Sequence, residues 1–333
     1  MMSRKLTVVM YHYVRDLKYS RFPGIKGLDI SLFKEQIGYL KRLYQFVTIE
    51  QVIDCIEYKR DLPDHSILLT FDDAYIDHFT HVFPVLKKEN IQGAFFPPVK
   101  AVTEHLVLDV NKIHFILAST DNTSKMDCLL KEVKLLLARF REEYNLKSYD
   151  AYFNKLAVAN RFDPKEVIFV KRLLQVELDE ALRKIITDIL FSKIAGIEES
   201  CFSRELYMSI DQIKCLACCG MHIGSHGYDH YWLGSLSKEK QEYEIKKSME
   251  FIEQMGGDVN NWTICYPYGD YNYDTLTILK ENGCKLGFTT GVDVANFDGI
   301  SGDENYKIPR LDTNDLPKNA LAEPNYWYSK GCI

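Results

Sequence analysis

Strand-like and helix-like segments alternate along most of this chain, and the alternation limits the possible folds more than any other feature of the sequence. Apolar stretches such as "LTVVMYHYV" and "SILLTF" are typical of strands that are buried on both faces. Apolar residues at helical spacing follow them, as at Phe33, Ile37 and Leu40. This alternation favours a parallel sheet or a β/α barrel.

The alternation is interrupted between residues 111 and 214, where the pattern is mostly helical. The apolar residues of this segment share one helical face, for example Leu129, Val133, Leu136 and Phe140. We interpret residues 111–214 as a helical insertion that covers or shapes a pocket. The remaining residues then form one discontinuous barrel domain, 1–110 with 215–312, and a C-terminal tail, 313–333.

The composition is that of a globular protein with a substantial core: 333 residues, 46% hydrophobic and 26% charged. A formal net charge of −6 argues against a nucleic-acid partner. The N-terminal apolar run is too short for a signal peptide, and no stretch is long enough for a membrane span, so we expect a cytoplasmic protein. Nine irregularly spaced cysteines then indicate reduced thiols.

Two adjacent carboxylates, Asp72 and Asp73, end the predicted strand in "LLTFDDAY". Like charges at this spacing repel each other unless a cation or hydrogen bonds compensate them. A solvated loop or a helix cap is the alternative interpretation of such a pair.

Two histidines, His226 and His230, follow another predicted strand in "GSHGYDH". Active sites of β/α barrels gather at the C-terminal ends of the strands, where Asp72 and Asp73 are also expected. Two imidazoles and one carboxylate leave an open position on zinc, and a second carboxylate can act as general base. Ordinary surface or core histidines are the alternative.

In this order the motifs resemble those of the polysaccharide deacetylases with a NodB-type homology domain, also called carbohydrate esterase family 4. In that family a "TFDD" motif supplies the base and then a metal ligand, and an H-[ST]-x-x-H motif supplies two more ligands. The resemblance implies that Asp72 is the base and that Asp73, His226 and His230 hold the metal. It also implies an α/β fold, an irregular (β/α)7-type barrel, here with a large helical insertion.

A third stretch, "CYPYGDY" at residues 265–271, is similar to the family motif that forms the wall of the acetyl-binding groove. This similarity makes Tyr266, Pro267 and Tyr268 candidates for substrate binding, with structural packing as the alternative for each tyrosine. The three motifs together span residues 70–271.

Three positions depart from the family pattern. Ala74 stands where many members have glycine, and Gly227 replaces the usual serine or threonine. Tyr266 stands where many members carry an arginine that orients the base. Arg310 in "KIPRLD" follows a late strand and can reach the base from another side; we include it among the substrate-binding candidates, and a surface salt bridge is the alternative.

The sequence also differs from the family pattern at the general acid. Many members use the histidine of a late Leu-x-His motif, whereas no histidine follows His230 here. His12 ends the first predicted strand, which resembles the permuted branch that includes the poly-N-acetylglucosamine deacetylases. By this resemblance His12 is the acid. A buried structural histidine is the alternative for His12, and His222 is the next candidate.

The sequence therefore predicts hydrolysis of an N-acetyl group on an amino sugar or glycan precursor. The expected cofactor is a divalent metal, Zn²⁺ first, with Co²⁺, Ni²⁺ or Fe²⁺ as alternatives. The expected partner is an N-acetylated sugar or glycan, and the oligomeric state is not predicted. Two other functions remain open: a metal-containing glycan-binding protein without activity, and an amidohydrolase of the same fold that acts on a non-sugar amide.

Overall fold

The computed structural model describes residues 4–120, 122–160, 163–300 and 302–332. These residues divide into two compact units. The first, which we call the barrel unit, comprises Met1–Asp16, Gly27–His105 and Ser203–Ile333. The second, the helical unit, comprises Leu17–Lys26 and Leu106–Phe202. The helical unit thus includes a segment near the N-terminus in addition to most of the predicted insertion.

Within the described residues of the barrel unit, seven strands are arranged as a ring. Their bounds are β1 Lys5–Tyr11, β2 Ser66–Asp72, β3 Gly93–Phe96, β4 His222–Ile223, β5 Thr263–Cys265, β6 Leu286–Phe288 and β7 Leu311–Asp312. β1 pairs in parallel with β7 and β2, and β3 joins β2 to β4. β5 pairs in parallel with β6.

Two single bridges complete the ring. Ser225 pairs with Ile264 between β4 and β5, and Phe288 pairs with Ile308 between β6 and the chain that enters β7. The predicted mixed α/β fold, an irregular (β/α)7-type barrel, is confirmed. Its irregularity lies at these two joins, where one bridge replaces a ladder.

Four further strands have two residues each. Val14–Arg15 pairs with Leu28–Asp29, Gln45–Phe46 pairs with β2, and Ala295–Asn296 lies antiparallel to β1.

The strands are buried on both faces, as their apolar sequences predict. All seven residues of β2 are buried. Leu68 belongs to one apolar cluster, whereas its neighbours Ile67 and Leu69 belong to another. This separation follows from the two-residue period of a strand, which directs successive side chains to opposite faces.

The α-helices of the barrel unit are α1 Ile30–Leu43, α2 Ile49–Glu57, α3 Phe83–Glu89, α4 Val99–Thr103, α11 Ile210–Cys218, α12 Lys238–Gln254 and α13 Tyr273–Glu281, which lie between strands, and α14 Tyr326–Cys332, which follows the last strand. The helical unit contains α5 Asp109–Ala118, α6 Thr123–Arg139, α7 Tyr149–Leu156, α8 Lys165–Arg172 and α9 Glu180–Leu190; α10 spans Glu199–Leu206. At several helix N-termini, a side chain accepts a hydrogen bond from a backbone amide that has no partner within the helix. Ser237, for example, caps α12 by accepting a hydrogen bond from the amide of Lys240.

The predicted C-terminal tail contains regular structure. In α14, Trp327 and Tyr328 pack against a core cluster of the barrel unit, and Gln36 donates a hydrogen bond to the carbonyl of Thr313 at 3.0 Å. Trp327 and Tyr328 are therefore partly buried, whereas Tyr326 of the same helix is 66% exposed.

Among the helices that the structure describes, none combines the length and the apolar character that a bilayer crossing requires.

Candidate metal and catalytic site

Asp73, His226 and His230 meet at the C-terminal ends of β2 and β4. All three are buried, and their potential ligand atoms lie within 4.8 Å of one another. Oδ1 of Asp73 is 3.4 Å from Nε2 of His226 and 3.4 Å from Nε2 of His230. The shared end of the barrel thus brings together two motifs that are far apart in the sequence.

The donor set fits a divalent cation. Oδ1 of Asp73 is buried and has no hydrogen-bond partner among the described residues, which is costly for a carboxylate oxygen. Nδ1 of His226 donates to the carbonyl of Cys265 at 2.7 Å, so Nε2 carries the lone pair that faces Asp73. One oxygen and two imidazole nitrogens are the ligands of many catalytic sites with an open position.

The second oxygen of Asp73 is held separately. The hydroxyl of Tyr75 donates to Oδ2 of Asp73 at 2.6 Å, and Tyr75 is fully buried, with its ring stacked on Tyr13 at 4.0 Å. Tyr75 therefore directs Oδ1 toward the histidines. It follows Asp73 by two positions, yet nothing in the sequence reveals this contact.

Burial and charge set the protonation of the three residues. Burial raises the pKa of Asp73, but the surrounding histidines outweigh it and hold the pKa far below its usual range. Burial lowers the pKa of His230 to about 3, which keeps this imidazole neutral. Burial also lowers the pKa of His226, but Asp73 and Asp72 outweigh it and raise the pKa. A cation must therefore compete with a proton at His226.

The loops that carry the ligands adopt left-handed backbone conformations. Asp73, Ala74 and His230 have φ angles of 73°, 54° and 58°. A non-glycine residue in this region is strained by about 1–2 kcal/mol, and such strain concentrates at functional sites. The angle at Ala74 explains why glycine suits this position in related sequences.

Gly227 has φ of 72°, and a Cβ there would lie 3.2 Å from Oε2 of Glu244. A side chain at position 227 would therefore be strained and would crowd this carboxylate. Here glycine, in place of serine or threonine, matches the local structure.

Glu244 of α12 supports the loop between the two histidines, a role that the sequence alone does not reveal. Oε2 accepts hydrogen bonds from the amides of Tyr228 and Asp229, each at 2.8 Å. Glu244 is 3% exposed, and burial raises its pKa to about 7 despite these donors. A polar residue on the buried face of α12 is the sequence signal for this role. The many charged residues of the helix make that face hard to recognise from the sequence.

Replacing Glu244 with alanine is expected to weaken zinc binding by about 10- to 100-fold, because two loop amides lose their acceptor. Glu244→Gln keeps an acceptor oxygen and should retain most of the affinity, measured by chelator competition. Glu242→Ala is the matched control, since Glu242 lies on the same helix with its side chain 37% exposed. Equal affinity for all three variants would contradict the supporting role.

Asp72 is held by a buried arginine. Nη1 of Arg310 lies 3.0 Å from Oδ1 of Asp72, and Nη2 lies 2.9 Å from Oδ2. Both side chains are nearly inaccessible, and Nε of Arg310 donates to the carbonyl of Thr289 at 2.9 Å. Burial raises the pKa of Asp72, but the charge of Arg310, followed by those of His226 and His12, lowers it to about 2. Asp72 is therefore an oriented, ionised carboxylate.

This geometry corrects the expectation that Arg310 contacts substrate or forms a surface salt bridge. Its guanidinium is 1% exposed and fully engaged with protein groups. The contact between Arg310 and Asp72 corresponds to the other expectation, namely that Arg310 reaches the proposed base.

His12 follows β1 directly and lies beside Asp72. Nε2 of His12 is 3.9 Å from Oδ2 of Asp72, and the imidazole is 40% exposed. The parallel register pairs Tyr11 with Phe71, which places the next residue of each strand side by side. His12 is thus a partly exposed imidazole next to a buried carboxylate.

Two further histidines lie near the strands but have other roles. Nε2 of His78 donates to the carbonyl of His12 at 2.8 Å, and burial lowers the pKa of His78 to about 4. His78 therefore fixes the backbone at His12, which the sequence does not reveal. His222 is buried against Thr263, and its charged neighbours are Glu50 and Asp258. This environment is that of a packed core residue.

Of the three substrate-binding candidates in the third motif, Tyr268 is the partly accessible one. Tyr268 is half-buried, and its ring centroid lies 4.8 Å from that of His230. Pro267 is buried. Tyr266 is 1% exposed, and its hydroxyl donates to the carbonyl of Tyr306 at 2.9 Å. The expected substrate contact by the side chain of Tyr266 is therefore wrong, because this side chain points from the end of β5 into the core.

Comparisons with known proteins identify the family of this chain. The family described as polysaccharide deacetylase matches residues 59–134 and 197–287, just over half of the chain. The Bacillus subtilis protein YxkH, named for polysaccharide deacetylase, is 32% identical over 92 residues, which are 28% of this chain and 33% of YxkH. The Escherichia coli poly-β-1,6-N-acetyl-D-glucosamine N-deacetylase is 33% identical over 81 residues, 24% of this chain. The alignment spans only 12% of that relative.

Among solved structures, the Streptococcus pyogenes deacetylase PplD, in complex with acetate, has the same fold. The TM-score is 0.58 at 17% sequence identity, and the superposition covers 96% of this chain and 99% of that chain. The two segments of the family match contain Asp72, Asp73, His226 and His230. The chain therefore belongs to the polysaccharide deacetylase family.

Proposed function

We propose that this protein hydrolyses the N-acetyl group of an amino sugar, either free or within a glycan precursor. The observation that carries the proposal is the placement of the Arg310–Asp72 pair and His12 beside the cluster of Asp73, His226 and His230. A base, an acid and a metal-binding triad thus share one end of the barrel.

Asp73, His226 and His230 would hold the metal, and we propose Zn²⁺. This ligand set also suits Co²⁺, Ni²⁺ and Fe²⁺, and ligand type alone does not select among them. When bound, the metal supplies Lewis acidity that polarises the acetyl carbonyl and lowers the pKa of water.

Asp72 is placed to act as the general base. Its low pKa keeps it ionised over the physiological range, so it is able to accept a proton from the attacking water. The two hydrogen bonds from Arg310 fix the plane of the carboxylate, which limits the reorientation needed for proton transfer.

His12 is placed to act as the general acid. An amine leaves poorly without a proton, and a protonated imidazole beside Asp72 is able to supply one to the departing nitrogen. The partial exposure of His12 permits exchange of its proton with solvent after each turnover.

The test is acetate release by the zinc-loaded protein across four classes of N-acetylated sugar: free, nucleotide-linked, lipid-linked and oligomeric. Release from one class, lost on chelation and restored by zinc, is the expected result. Metal binding without release from any class would contradict the proposal and favour a non-sugar amide or a binding function. The cytoplasmic location stays a prediction, which fractionation of cells that express the full-length protein would test.

A further inference from the structure

A three-residue segment between α10 and α11 lies against the loop that follows β2. We call residues 207–209 the bridging segment; they belong to the barrel unit. The amide of Met208 donates to the carbonyl of Ala74 at 2.8 Å. Tyr207 forms an antiparallel β-bridge with Tyr75. The bridging segment therefore pairs with the backbone that carries the first of the proposed ligands.

The side chain of Tyr207 contacts the tyrosine that orients Asp73. Its ring is parallel to that of Tyr75 within 12°, with the centroids 6.2 Å apart. The ring of Tyr75 also stacks on Tyr13, and its hydroxyl donates to Oδ2 of Asp73 at 2.6 Å. All three tyrosines are buried. Tyr207 thus limits the position of the Tyr75 ring and, through the Tyr75 hydroxyl, the position of the carboxylate.

The loop that carries Asp73 needs such support because its backbone is strained. Asp73 and Ala74 have left-handed φ angles of 73° and 54°, and a conformation of this kind persists only when the surrounding structure fixes it. The amide of Asp73 donates to the carbonyl of Phe96 at 3.2 Å. Ala74 is 1% exposed, so its carbonyl depends on the amide of Met208, and a buried carbonyl without a donor is costly.

Hydrogen bonds anchor the bridging segment at both ends. The amide of Tyr207 donates to the carbonyl of Ser203 at 2.9 Å, in the last turns of α10. Ser209 caps α11: its hydroxyl accepts from the amide of Gln212 at 3.2 Å, and its amide donates to Oε1 of Gln212 at 2.8 Å. The bridging segment is therefore preorganised and can hold the loop after β2 in one conformation.

We propose that Tyr207 and the amide of Met208 are positioning groups that keep Asp73 in place as a metal ligand. The inference rests on the proposed metal site and extends it to a segment distant in sequence. Oδ1 of Asp73 lies 3.4 Å from Nε2 of each ligand histidine, and ligand groups must be held within about 0.5 Å of a productive geometry. A loop that relaxes from its left-handed conformation carries Oδ1 away from both nitrogens, so the affinity for the metal falls.

Two pairs of variants test the two contacts, with the Kd for Zn²⁺ measured by chelator competition. Tyr207→Leu removes the ring beside Tyr75 and is expected to raise Kd about 10-fold, whereas Tyr207→Phe keeps the ring and should stay close to the wild type. Met208→Pro removes the amide donor and should raise Kd by a similar factor, whereas Met208→Leu keeps the amide and much of the packing. The visible absorption of the Co²⁺-loaded protein, which reports ligand geometry, should change in Tyr207→Leu and not in Tyr207→Phe.

A buried tyrosine away from the loop separates positioning from general stability. Tyr44 is 5% exposed and contacts the ring of Tyr328 at 5.4 Å. Tyr44→Leu should therefore lower the free energy of unfolding, measured in urea with chelator, and leave the Kd for Zn²⁺ unchanged. Equal losses of affinity in Tyr44→Leu and Tyr207→Leu would overturn the inference, as would a wild-type Kd in Tyr207→Leu. If Met208→Pro does not fold, the Tyr207 pair decides.

Metal affinity also separates this inference from the proposed function. A wild type that binds Zn²⁺ but releases no acetate contradicts the deacetylase alone, because the order of the Kd values still tests the bridging segment. A wild type that binds neither Zn²⁺ nor Co²⁺ would overturn the metal site and this inference together.

Discussion

Replacing Asp72 with asparagine is expected to lower kcat/KM for acetate release by about 10²- to 10⁴-fold. An amide of nearly the same shape fills the site but cannot accept the proton of water. The three proposed ligands are unchanged, so the bound zinc, measured by elemental analysis, should remain at one per chain. Loss of activity with retained metal is therefore the expected pattern.

The control is Asp77→Asn, which changes another nearly buried aspartate that is paired with an arginine. Oδ2 of Asp77 lies 2.7 Å from Nε of Arg15, and the side chain is 7% exposed. Asp77→Asn disturbs a similar ion pair outside the proposed chemistry, so kcat should stay within a few-fold of the wild type. An equal loss in both variants would contradict the assignment of Asp72 as base.

Replacing Arg310 with methionine is expected to lower the free energy of unfolding by about 3–5 kcal/mol. Asp72 would remain buried without the charge that lowers its pKa, and burial alone penalises its ionised form. Urea denaturation in the presence of chelator measures this change without a contribution from bound metal. Activity should fall as well, because the carboxylate loses both hydrogen bonds that orient it.

Two variants test the physical reason for this loss. Asp72→Leu combined with Arg310→Met removes both charges and should recover part of the stability. Arg60→Met removes an arginine whose side chain is 67% exposed and pairs with Asp54, so the loss should stay below about 1 kcal/mol. A double variant less stable than Arg310→Met would indicate lost packing instead of an unpaired charge.

The parts of the site that the sequence predicts are those encoded by short motifs at strand ends. Asp73 and His226 lie where the alternation of strands and helices places them, because parallel strands in a barrel end on the same side. The family resemblance indicated His12 through its position after the first strand, and the structure places it 3.9 Å from Asp72. The specific roles of these residues stay predictions until variants are measured.

The parts that the sequence does not predict depend on tertiary contacts. Glu244 lies in a helix rich in charged residues, and only packing shows that its carboxylate faces two amides of a distant loop. Tyr75 and His78 act through single hydrogen bonds to Asp73 and to the backbone of His12. Tyr266 was misassigned because a motif does not show which side of a strand end each side chain faces. A shift of one residue along a strand moves a side chain to the opposite face.

The two single bridges that close the ring give Arg310 a second consequence. Its guanidinium bonds to Thr70 in β2, to the sulfur of Cys265 in β5 and to the carbonyl of Thr289 just after β6. It thus acts as an internal cross-brace, linking strands on both sides of the weakly paired seams. Orientation of the proposed base and closure of the barrel therefore depend on the same side chain, so a substitution of Arg310 is expected to affect both.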